Sequence, residues 1–164
     1  MKKIAIAVIC CLMFCYAGFA QKILLNITGV TAPGGEDIKA VDFKTDLNIS
    51  FSGGGGGTVS KPLVGPFLIK KDYNTSTNPL QLKLLQGAKI PQVDIEYYDA
   101  TGAVVNFRVR LIDCYVTNFY WLSPECPTCL KLEHQVAFTP TKVELYDIAT
   151  GVTVKYNVAT NATY

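Results

Sequence analysis

The chain has 164 residues, 15 Lys+Arg against 13 Asp+Glu, and a formal net charge of +2. That balance excludes a protein that holds nucleic acid through a basic excess. The length supports one domain with a real core and requires no second.

The first twenty residues read as a secretory signal peptide. Lys2 and Lys3 form a charged start, Ile4 to Tyr16 is apolar, and Gly18-Phe19-Ala20 supplies a small-x-small cleavage site. The apolar run is short for a membrane span, and the residues before Cys10, Cys11 and Cys15 are not those of a lipoprotein site. Removing twenty residues from 164 leaves 144, numbered 21–164, with basic and acidic residues in balance. Of the six cysteines, Cys114, Cys126 and Cys129 stay. Export to an oxidising compartment makes a disulfide reasonable, and three thiols leave one over.

Lys22 to Thr28 reads as a first strand. Pro33-Gly34-Gly35 marks a loop. Ile38 to Phe51 alternates, with Val41, Phe43, Leu47, Ile49 and Phe51 on one parity, which predicts one long half-buried strand. Gly53 to Gly57 is a run of five glycines that is costly to order. No Gly-Lys-Ser/Thr and no helix follow it, so it is not a phosphate loop. It reads as a mobile loop, or as a loop ordered only when a neighbouring subunit packs on it.

Leu63 to Ile69 is an apolar strand-like run ending at Lys70 and Lys71. A polar turn, Asp72 to Asn78, leads to a helix predicted over about residues 79–86, with Asn78 as cap and Pro79 at its first position. Leu80, Leu84 and Leu85 share its packing face, and Gly87 stops it. A helix of two turns is marginal alone, so it must lie on a sheet or plug a barrel mouth.

Val93 to Tyr98 and Val104 to Leu111 predict a hairpin around Asp99 to Gly102. The expected register sets Tyr98 opposite Val104, so that Glu96 faces Asn106 and Asp94 faces Arg108 on the wet side. The second strand runs on to Tyr120 with a bend at Asp113-Cys114. Leu122 to Leu130 is a loop. Leu132 to Phe138 and Lys142 to Tyr146 are strands broken at Pro140, Val152 to Val158 is the last strand, and Asn157 to Tyr164 is a polar tail. About eight strands and one short helix give a mainly β protein, a compact β-barrel or sandwich.

Several residues invite chemistry. Cys126-Pro127-Thr128-Cys129 has redox spacing, but a strand follows where a thioredoxin-like site needs a helix N-terminus. A local disulfide, or one reaching Cys114, is the simpler reading. Cys126, Cys129 and His134 with Cys114 have the types for a tetrahedral zinc site, while His134 in a strand reads more plainly as a surface or interface histidine. With one histidine and no nucleophile elbow, no hydrolytic triad is signalled. Asp94 with Glu96, and Asp42 with Asp46, are explained by solvation rather than by glycosidase chemistry. Asn26, Asn48, Asn74 and Asn161 head N-x-Ser/Thr sequons, relevant only in a glycosylating host. No catalytic residue, cofactor or metal is assigned, and the chain is expected not to be an enzyme.

Taken in order, a strand, a glycine-rich loop, a strand ending in Lys70-Lys71-Asp72, an Asn/Ser-rich turn, a short Pro-initiated helix and Gly87-x-Lys89-Ile90-Pro91 resemble the Hcp family (haemolysin-coregulated protein), the tube protein of type VI secretion. The likeness is densest over Pro66 to Val93. It continues at Phe107 to Val116 and Leu132 to Leu145, and includes Ile23 to Gly29. The resemblance implies a small barrel flanked by one helix, homohexameric rings with a wide pore, stacking into tubes, and room for small effectors. It assigns Ser52, Gly53, Gly54, Gly55, Gly56, Gly57, Thr58, Val59, Ser60 and Lys61 to a subunit-contact loop. The ring contact it implies is heterologous and closes by rotation. Two features depart from the family: the signal peptide and the Cys126–Cys129 loop. They point to an exported protein, periplasmic or extracellular, that partners itself and neither nucleic acid nor membrane. The competing reading is a secreted monomeric β-domain that acts as a binding or adhesion module.

Overall fold

The computed structural model describes residues 22–47, 49–51, 57–122 and 132–164. The expected signal peptide, Cys126 and Cys129, and residues 52–56 of the contact loop lie outside them. The described chain is mainly β with one helix. Its strands in order are β1 (Ile23–Ile27), β2 (Glu36–Asp37), β3 (Ala40–Asp42), β4 (Thr45–Asp46), β5 (Ile49–Phe51), β6 (Gly57–Val59), β7 (Leu63–Val64), β8 (Phe67–Asp72), β9 (Ile90–Tyr98), β10 (Val105–Leu122), β11 (Glu133–Asp147), β12 (Val152–Asn157) and β13 (Ala162–Thr163). The helix α1 (Thr77–Gln86) lies between β8 and β9.

The strand pairings close a circuit. β1 pairs with β9, β9 with β10, β10 with β11, β11 with β8 and β8 with β3. The segment 36–42 completes it, because β2 pairs with β1 while β3 pairs with β8. Between them Ile38 donates to the Ile23 carbonyl at 3.0 Å and Lys39 to the Lys70 carbonyl at 2.9 Å. A closed sheet has no edge to protect along that circuit. Leu25, Ile27, Phe67, Ile69, Ile90, Val93, Ile95, Leu111, Val136 and Phe138 fill the interior. Each fully buried aliphatic contributes about 1.5–3 kcal/mol by leaving water.

β11 is one strand, not two. Its first part, Glu133–Phe138, pairs with β8, and its last part, Lys142–Asp147, with β12. Pro140 falls in the gap between these partners, which is where a residue without an N–H is tolerated inside a sheet. β12 and β13 thus extend the barrel wall as a flap.

The predicted long strand 38–51 is instead divided into β3, β4 and β5. Lys44 Nζ pairs with Asp46 at 2.8 Å, and the Gly65 amide donates to the Lys44 carbonyl at 2.9 Å, so the chain turns outward after β3. Among the described residues β4 pairs with β7 alone and β5 with β6 alone, which makes a ribbon outside the barrel circuit.

The β9–β10 hairpin keeps the predicted faces in a different register. Asp99 closes its loop by donating to the Val104 carbonyl at 2.8 Å. A bulge between Val105 and Phe107 then shifts the pairing, so Arg108 lies opposite Glu96 and Arg110 opposite Asp94. Both arginines reach their carboxylates at 2.8 Å. The bend expected at Asp113 is present as a positive φ of 51°.

The helix starts two residues earlier than predicted, with Ser76 at the cap and Pro79 in the third helical position. Proline is still harmless there, since first-turn amides have no helical partner. Gly87 ends the helix at φ 57°, as expected. Leu80 is 0% exposed and Leu84 packs on the core, but Leu85 is 78% exposed rather than buried.

Candidate functional site

Three regions carry side chains that a purely structural barrel would not need. The first is the ribbon and its root. Of the predicted contact loop, Gly57, Thr58 and Val59 form β6, and Ser60 and Lys61 lead back to β7. At the root, Phe43, Thr45, Pro62, Val64, Val143, Leu145, Val154 and Tyr156 line an apolar groove of about 270 Å³. Phe43 stacks on Phe67 at 4.1 Å, which fixes the groove floor to the barrel core. Val154 in its lining is an exposed large apolar residue, and so are Leu47, Leu63 and Val152 on the same strands or next to them. Such a patch marks an interaction surface more often than a free one.

The second region is a buried polar centre at the end of the barrel where α1 starts. The alternation of β8 turns Phe67, Ile69 and Lys71 inward. Lys71 is fully buried, and Glu36 from β2, Asn74 and Ser76 surround it. Asn74 Nδ2 donates to Glu36 Oε2 at 2.6 Å, and Ser76 Oγ to the same oxygen at 2.7 Å. Burial pushes the Lys71 ammonium below the usual lysine range, and the Glu36 carboxylate only partly offsets it. Every ammonium proton is thus directed at an oxygen, which is what makes a buried charge tolerable. The inward parity of Lys71 was visible in the sequence, but Glu36, distant along the chain, gave no sign of being its partner.

His134 lies beside this centre, and the surface position expected for it is wrong. It is fully buried on the inner face of β11, stacked on Phe119 at 4.7 Å with Trp121 at 5.8 Å. Desolvation and then Lys71 push the imidazole down to about 4. Trp121 and Tyr73, 6.2 Å apart, are both exposed.

The zinc reading is not assembled. Cys114 pairs in register with Pro140, six residues along β11 from His134, or roughly 20 Å at 3.3 Å per residue. Among the described residues no three His, Cys, Asp or Glu side chains group as metal ligands. Cys114 is a free thiol, wholly buried, and burial pushes it up to about 12. Asp94 and Glu96 are held in their arginine pairs.

The third region corrects the polar tail. Tyr164 donates to Glu144 Oε1 at 2.9 Å, and Tyr146 donates to Oε2 of the same carboxylate. Lys155 lies 3.3 Å from Glu144, and Lys142 and Lys155 both sit over the Tyr164 ring. Burial pushes Glu144 up, yet these donors outweigh it and hold the carboxyl below its ordinary value. Tyr164 is therefore fastened to β11 and β12.

A closed six-membered strand circuit, one helix at its end and a ribbon leaving its wall define a class of small β-barrel proteins with a protruding arm. Residues 30–146 match the family model described as "Type VI secretion system effector, Hcp". The chain belongs to that family. A comparison with curated protein sequences gives no match. Among solved structures, Hcp1 from Salmonella typhimurium is similar at a TM-score of 0.73 and 15% identity, over 88% of this chain and 99% of that one. A type six secretion system protein reaches 0.76 at 12% identity, over 88% and 100%. Secreted protein Hcp3 from Pseudomonas aeruginosa reaches 0.59 at 16% identity, over 84% and 98%. Among the described residues no helix is long and apolar enough to cross a membrane.

Proposed function

We propose that this Hcp-family chain is a non-enzymatic building block that forms homohexameric rings, which stack into tubes and hold small secreted effectors in the pore. The observation that carries the reading is the pair of unmatched surfaces on one subunit. Among the described residues the ribbon of β4 to β7 makes no ladder with its own barrel, and the apolar groove at its root stays exposed. A two-stranded ribbon is marginal in water by itself. A neighbouring copy that covers ribbon and groove satisfies both, and a head-to-tail contact of this kind closes into a ring. Residues Ser52 to Lys61 serve this contact, and the signal peptide sends the protein through the general export route to the periplasm or beyond.

Light scattering of the protein without residues 1–20 tests this. A hexamer is expected; a monomer at high concentration overturns the ring. Val154→Asp places a charge in the groove on an exposed strand and is expected to dissociate the ring while the monomer stays folded. Deleting Gly53 to Gly57 is expected to disrupt stacking more than folding, and tubes that persist count against the loop assignment. The exposed Tyr73–Trp121 pair favours the second reading, a monomeric adhesion module, because paired surface aromatics suit ligand contact.

A further inference from the structure

The barrel end where α1 starts holds a buried pairing that the proposed ring contact leaves aside. His134 and Lys71 are cross-strand partners, on β11 and β8, and both are fully buried on the inner face. Neither ring nitrogen of His134 has a hydrogen-bond partner among the described residues. The stacking on Phe119 and the contact with Trp121 hold the ring instead.

Among the described residues, the charged groups facing this position are few. From β8 come Lys71, directly opposite, and Asp72 beside it, which pairs with Lys39 at 2.6 Å. From β2 comes Glu36, already shared by Lys71, Asn74 and Ser76. From β10 come the rings of Phe119 and Trp121, and at the start of α1 the Ser76 hydroxyl accepts from Lys71. On its own strand, Glu133 is paired with Lys39 and Lys70. An imidazolium here would face an ammonium across one rung of a ladder, in a dry interior, with each nearby carboxylate already paired. Like charges directly opposite each other destabilise a strand pair even at a surface, and burial makes the repulsion larger.

We propose that His134 and Lys71 form an acid-sensitive latch, which keeps the β8–β11 seam closed while His134 is neutral and releases it when His134 takes a proton. The direction of the titration agrees. Burial and Lys71 hold the folded imidazole down to about 4, with Glu36 and Asp72 opposing weakly. An exposed histidine titrates near 6.5. The latch is therefore fully closed above about pH 6.5 and loses its hold as pH falls toward 4. The seam released includes the bond from the Tyr73 amide to the Leu132 carbonyl, 2.8 Å long, just beyond the last rung.

The test uses Trp121, the one tryptophan of the chain, and hydrogen exchange at the Tyr73 amide. Between neutral pH and about pH 4.5, seam opening corrected for intrinsic exchange is expected to rise roughly 10- to 100-fold, with a parallel change in Trp121 fluorescence. His134→Phe, which keeps the stack and cannot charge, is expected to abolish both changes. If that variant does not fold, His134→Gln is read in its place. Two results overturn the latch: the same acid response in the uncharged variant, or a wild-type seam whose opening does not change before the whole barrel unfolds.

Discussion

Removing the charge of Glu36 while keeping its shape, Glu36→Gln, isolates what holds Lys71 inside the barrel. The lysine side chain is 0% exposed and that of Glu36 is 12% exposed, so water screens the pair little. Breaking a buried pair by neutralising one partner typically costs 3–5 kcal/mol, because the other charge stays behind. A Gln oxygen can still accept from Lys71 and Ser76, which places the expected loss near the lower end, about 3 kcal/mol. At about 2–4 °C per kcal/mol for a domain of this size, Tm should fall by about 6–12 °C. Urea unfolding gives the free energy directly. The double variant Glu36→Gln, Lys71→Met should recover most of the loss, since an apolar chain of similar length needs no partner. A loss below about 1 kcal/mol would show that the pair behaves like a surface ion pair. Simple additivity in the double variant would show that the two residues are not coupled, and either result refutes the reasoning.

Leu80→Ala should cost about 2–5 kcal/mol in urea unfolding, because Leu80 is wholly buried at the barrel end while Leu82 and Leu85 on the same helix are exposed; Leu85→Ala should change little. Cys114, pushed up to about 12 by burial, should resist alkylation in the native protein and react only as fast as the barrel unfolds, which peptide mass analysis can follow. Global stability should decline as pH falls from about 6.5 toward 4, since the unfolded histidine binds a proton there that folded His134 does not. The urea midpoint read across that range should flatten in His134→Phe.

Much of the β pattern could be read from the sequence because it depends on period and punctuation. β1, β9, β10, β12, the helix and its Gly87 stop follow from alternation and cap chemistry that neighbouring residues supply. The hairpin faces were legible for the same reason, but its register was not: the bulge after Val105 is a backbone event that parity alone does not reveal. Pro140 misled because a proline is excluded only where a ladder needs its N–H, and the change of partner along β11 could not be seen in one strand. Leu47 and the residues after it alternate like a barrel strand, yet they belong to a ribbon that pairs with itself apart from the barrel circuit. His134 looked superficial because its environment is assembled from β8, β10 and β11, brought together only by folding. The polar tail was misread because its tyrosine finds Glu144, a partner on a different strand.

The unbroken course of β10 and β11 has a mechanical consequence. The flap of β12 and β13 hangs on the last third of β11, and the barrel wall is built on its first third. β10 runs antiparallel alongside both parts. A pull along β11 from the flap therefore loads the rungs to β10 together, in shear, instead of breaking them one after another by peeling. The protein thus resists a pull along these two strands, and parts more easily at the short ladder between β12 and β13.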